Sequence, residues 1–95
     1  MFGVLVEVDT SGTEAEEGIR HLRENVVPGV SKAPGFHSGA WLRPLDDAKG
    51  SSLVLFDTEE NARAASQMVQ VGANPAPGVT VLRCEVREVA VHAEA

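Results

Sequence analysis

Apolar positions along this chain recur first every second residue, then on a helical stripe, then every second residue again. From Phe2 to Asp9, Phe2, Val4, Val6 and Val8 share one face and Leu5 and Glu7 the other, which is the period of a β-strand. Thr10, Ser11 and Gly12 interrupt it. Thr13 with Glu16 three residues later offers a capping box, and Glu14, Glu16 and Glu17 suit the positive end of a helix dipole. Ala15, Ile19, Leu22 and Val26 then form one helical stripe, with Glu16, Arg20, Arg23 and Glu24 outside it. Pro28, Gly29, Pro34 and Gly35 are expected to end this helix and lead to the next strand.

The period of two returns from Phe36 to Arg43, placing Phe36, Ser38, Ala40 and Leu42 opposite His37, Gly39, Trp41 and Arg43, and Pro44 stops the ladder. Asp46, Asp47, Lys49, Gly50 and Ser51 make a polar connection of hairpin length, after which Leu53 to Phe56 is a short apolar strand. Asp57 or Thr58 caps a second helix that turns Ala62, Ala65, Met68, Val69 and Gly72 inward; the small alanines allow close approach to a sheet. Asn74, Pro75, Pro77 and Gly78 break it, and Val79 to His92 alternates as a last, long strand.

The order β-α-β-β-α-β predicts an α+β, ferredoxin-like architecture: a four-stranded antiparallel sheet with two helices on one face. At 95 residues, without a linker or repeat, residues 1–95 are expected to form a single domain. Simple alternation puts Phe36, Ala40, Leu42, Leu53, Leu55, Leu82, Cys84 and Val86 under the helices. It leaves Leu5, Trp41, Val54, Phe56, Val89 and Val91 on the other face or on the strand extension, mixed with Glu7, His37, Arg43, Arg83, Glu85 and Arg87. So much uncovered apolar surface predicts a homodimer formed face to face, enclosing a small cavity between sheet and helices.

Fourteen acidic against eight scattered basic residues, a net charge of -6, argue against nucleic acid or an anionic membrane as partner. The first apolar run is too short for a membrane span, lacks a basic leader and carries Glu7 and Asp9, so a cytoplasmic location is expected. The one cysteine, Cys84, permits no internal disulfide and reads as an inert buried thiol. His21 and His92 read as surface residues, and no histidine spacing suggests a metal site.

Ala33-Pro34-Gly35-Phe36 followed by Trp41, then Leu53-Val54-Leu55-Phe56-Asp57-Thr58-Glu59-Glu60 leading into an alanine-rich helix, resembles the antibiotic biosynthesis monooxygenase family of dimeric α/β barrels over almost the whole chain. The resemblance implies a dimeric barrel and several possible chemistries. Its haem-degrading branch uses an Asn on the first strand, a Trp ending the third and a His on the second helix; the matching positions here are Glu7 and Phe56, and residues 59–72 contain no His. Haem degradation is therefore not expected, and no cofactor is.

Cofactor-free oxygenation needs an apolar pocket, a base and donors for the resulting anion. His37 or Glu7 is the candidate base, Arg83 or Arg87 the anion holder, and Trp41 and Phe56 the stacking surfaces for an aromatic ring. Two functions stay open: a cofactor-free monooxygenase of an aromatic or polyketide-like substrate, and a non-catalytic dimeric module that binds a small hydrophobic molecule or serves as an assembly surface.

Overall fold

A computed structural model describes residues 1–45 and 49–95 of the chain; Asp46 and Asp47 of the expected hairpin connection lie outside these residues. Four strands, β1 (Phe2–Asp9), β2 (Phe36–Leu42), β3 (Lys49–Phe56) and β4 (Thr80–Glu88), form one antiparallel sheet in the order β2-β3-β1-β4. Helices α1 (Ala15–His21), α2 (Val27–Ser31) and α3 (Glu59–Ser66) complete the ferredoxin-like fold. β3 begins four residues before its apolar run, and β4 stops at Glu88, short of the predicted His92. Beyond β4 the Val89 amide donates to the Met1 carbonyl at 2.9 Å, and Val91 is exposed.

The first helix does not end at Pro28. A π-helical stretch, Leu22–Val26, joins α1 to α2, and the path stays helical to Ser31. Within an α-helix the ring of Pro28 would meet the carbonyl four residues earlier, and the widened π turn immediately before it relieves that clash. The expected capping box is not formed: Glu14 is the N-cap and gives no side-chain cap, while Thr13 Oγ1 only approaches the Glu14 carbonyl at 3.5 Å. The second cap is formed as expected, with the Asn61 amide donating to Thr58 Oγ1 at 3.1 Å. α3 is followed by a 3-10 turn, Gln67–Val69, so the regular helix is shorter than the apolar pattern suggested.

Two bulges decide which side chains meet the helices. Between Phe36 and Ser38 the pairing of β2 with β3 shifts by one residue, so Phe36 opposes Phe56, Gly39 opposes Val54, and Trp41 opposes Ser52. Phe36 and Trp41, an odd number of positions apart, thus both face the core, which regular alternation forbids. A second irregularity lies opposite the Glu7–Val8 step, where Val8 pairs with Val81 and Glu7 with Arg83, leaving Leu82 between.

The expected facing is accordingly corrected. Val54, Phe56 and Val81 are buried with Val4, Val6 and Ala62, and Trp41 packs against them; Phe36, Cys84 and Val86 also pack there, as expected. Leu42, Leu53 and Leu82, expected beneath the helices, are 60%, 44% and 40% exposed. Ala40 pairs with Leu53 and shares the open face with it, together with Leu5 and Glu85 across β1. Leu55 is also on that face yet buried; a Cβ on Gly3 would stand 2.9 Å from Leu53 and 3.2 Å from Leu55, so the two leucines lean over the glycine.

Candidate functional site

Ile19, Leu22 and Val26 form the predicted stripe on the first helix, but none is fully buried. α3 lies directly on β1, β3 and β4, whereas the first helical path approaches the sheet chiefly through α2 against β2. The gap between them is a cavity of about 870 Å³. Its floor is the helix side of the sheet, with Val4, Val6, Trp41, Val54 and Phe56, and its roof is the helical stripe. Gly39 makes room for the tryptophan: a Cβ there would come within 2.8 Å of the Trp41 ring, which lies across the glycine.

The cavity is not uniform along its length. Its polar lining comes from Thr10, Ser11 and Thr13 after β1, Arg43 after β2, Ser51 and Ser52 on β3, and His21. Most of these lie at the end of the sheet where β1 and β2 finish and β3 begins, since Leu42 pairs with Ser51 and Asp9 with Lys49. Beside this end Asp9 is held below its ordinary value by hydrogen bonding to Ser11, whose amide donates to Asp9 Oδ1 at 2.8 Å. Arg43 is exposed and stands 3.9 Å from Glu16 at the start of α1.

His21 is a site residue that the sequence pattern misassigned to the surface. It is half-buried, and Nε2 donates to the Pro75 carbonyl at 3.1 Å, because a carbonyl can only accept. Nδ1 then accepts from the Asn25 amide at 3.3 Å. Both ring nitrogens are thereby used in tying α1 to the loop before β4. The i,i+4 pair of His21 and Asn25 is the one local signal of this role.

The six sequence-predicted site residues do not form one constellation. Trp41 and Phe56 are in the cavity. Glu7 and Arg83 face each other across β1 and β4 on the opposite side of the sheet. Arg83 and Arg87 both hydrogen-bond to Glu85 between them, so one carboxylate is shared by two guanidinium groups and offsets part of their charge. The Glu85 bond raises Arg83 above its usual value, aided by the charges of Glu85 and Glu7, and the Arg83 bond holds Glu85 below the ordinary carboxylate range. His37 occupies the β2 bulge, exposed, with Nδ1 2.8 Å from Ser38 Oγ and its ring 5.8 Å from that of His92.

Cys84 is half-buried on the helix side, and burial pushes its thiol up, away from the reactive thiolate. Among the described residues no group of three or more His, Cys, Asp or Glu side chains could hold a metal ion. No helix among them is long and apolar enough to cross a membrane.

With this geometry in view, the chain can be set beside known proteins. Its fold is that of MhuD. A crystal structure of an MhuD variant with two manganese protoporphyrin IX molecules bound per active site superposes with a TM-score of 0.64, at 14% identity, covering 100% of both chains. No family model matches the chain, and no curated protein matches its sequence.

Proposed function

We propose that this chain is a cytoplasmic, homodimeric protein of the antibiotic biosynthesis monooxygenase type that binds a small aromatic or polyketide-like molecule between its sheet and its first helix. The observation that carries this reading is the cavity of about 870 Å³ floored by Trp41, Phe56 and valines, a volume and lining suited to a flat apolar ligand. The fold shared with MhuD, whose active site takes large flat porphyrins, supports the same use of the fold here. Ligation of a haem iron is not favoured by these residues: α3 has no histidine, and both ring nitrogens of His21 are already engaged.

Binding without turnover is the form of this proposal that the side chains favour. His37, Glu7 and Arg83, the groups with the chemistry for a base and an anion holder, stand outside the cavity, and His21 inside it has no free nitrogen. Cofactor-free monooxygenation is the second reading, favoured by the apolar lining, which would limit the access of water to a carbanion meeting oxygen. It requires His21 to give up Asn25 and accept a proton from the substrate at Nδ1.

The open face supports the proposed dimer. Leu5, Ala40, Leu42 and Leu53 surround the Glu7, Arg83, Glu85 and Arg87 network there, and a second copy placed face to face would remove these leucines from water at roughly 25 cal/mol per Å². Native mass spectrometry of the freshly purified protein tests both parts. Twice the chain mass plus the mass of a retained aromatic molecule is expected; a monomer that neither retains nor takes up a naphthol contradicts the proposal. Oxygen uptake with a polycyclic phenol, lowered by about 10²-fold or more in His21→Ala, would select the second reading.

A further inference from the structure

Resting on the ligand-binding reading above, we propose that the cavity selects an amphipathic anion: an apolar aromatic body carrying one carboxylate, sulfonate or phenolate, with Arg43 holding the charged end. The chain as a whole is acidic, with 14 acidic and 8 basic residues. Among the described residues, however, the cavity is lined by no Asp, Glu or Lys, and Arg43 is the one charged side chain that lines it. A neutral ligand would give this arrangement no advantage.

Position agrees with charge. Arg43 follows β2 at the end of the sheet where Thr10, Thr13 and Ser51 also contribute hydroxyls, while Phe56 and Val54 lie toward the other end. An elongated ligand would therefore lay its apolar body over Trp41 and the valines and bring its charged end to the guanidinium and hydroxyls. Arg43 is free to respond: its partner Glu16 is 3.9 Å away and both are exposed, a pairing that a ligand anion can displace at little cost. A guanidinium presents its donors in a fork that matches the oxygens of a carboxylate or sulfonate.

Two fluorescent probes that differ only in charge test this directly. 1-Anilinonaphthalene-8-sulfonate is N-phenyl-1-naphthylamine with a sulfonate added. Dissociation constants come from probe emission on the full chain, and occupancy of the cavity from the single indole N–H resonance, which belongs to Trp41. The sulfonate should bind about tenfold more tightly than the neutral amine, an advantage worth about 1.4 kcal/mol. Arg43→Gln should abolish the difference and leave the amine unaffected, whereas Arg20→Gln, which removes an exposed arginine paired with Glu17, should change neither.

Glu16→Gln should tighten the sulfonate two- to threefold, and raising salt from 0.05 to 1 M should narrow the gap in the unaltered chain. Equal affinities for the two probes, or a gap that survives Arg43→Gln, overturns the anion selectivity while leaving the ligand site standing. If neither probe moves the Trp41 resonance, the ligand site fails and the selectivity with it.

Discussion

Trp41 faces the helices because one extra residue, His37, is inserted in β2. Counting by twos from Phe36 places Trp41 on the open face, and the bulge reverses that assignment for every later residue of the strand. Phe56 was equally illegible for a different reason: Leu53, Val54, Leu55 and Phe56 are all apolar, so the strand carries no alternation from which a face can be read. Glu7, by contrast, was correctly placed opposite the valines of β1, where the alternation is regular. Gly39 is the residue on which the cavity floor depends. Gly39→Val should displace the Trp41 ring, lower stability by about 1–3 kcal/mol as overpacking does, and shift tryptophan emission to the red; unchanged emission would mean that the ring does not rest on the glycine.

On the open face, Glu85 supplies a pH-dependent contribution whose sign is fixed by its arginines. Its folded value is lowered, so the stabilisation is present above the ordinary carboxylate range and disappears as pH falls through the folded value. The urea midpoint of Glu85→Gln should therefore lie below that of the unaltered chain at pH 7, and the gap should narrow as the solution is acidified below the ordinary carboxylate range. A gap that does not narrow on acidification would assign the loss to packing instead of charge.

Among the elements, the strands and α3 were the most legible. β1 runs from Phe2 to Asp9 as its alternation indicates, and Thr58 caps α3 as Thr, Glu and Glu in succession suggest. The first helix was less so, since Pro28 and Gly29 usually stop a helix and the compensating π turn has no residue pattern of its own. Its N-terminus also departs from its motif. Thr58→Ala should cost about 1 kcal/mol in chemical unfolding, because it removes the acceptor of the Asn61 amide, while Thr13→Ala should cost only a few tenths. Equal losses would show that the two threonines do the same work.

At the level of the whole molecule, the order of elements was enough to reach the fold, because few topologies satisfy β-α-β-β-α-β with right-handed crossovers. It was not enough to assemble a site. The expected site residues belong to one face of the sheet, but the β2 bulge turns Trp41 under the helices and Phe56 lies there on a strand without alternation, while Glu7, Arg83 and Arg87 stay on the outside. One sheet therefore carries two separate surfaces, an apolar cavity and a leucine and ion-pair face, which the proposed function gives to a ligand and to a second copy respectively.

The measurement that separates these surfaces most directly is the set of intermolecular nuclear Overhauser effects between 2-naphthol and the methyl groups of the protein. With the ligand between sheet and helix, its ring protons should reach the methyls of Val6, Ile19 and Val54. Effects confined to Leu5, Leu53 and Leu55, with none to those three, would place the ligand on the open face and contradict the cavity as the binding site.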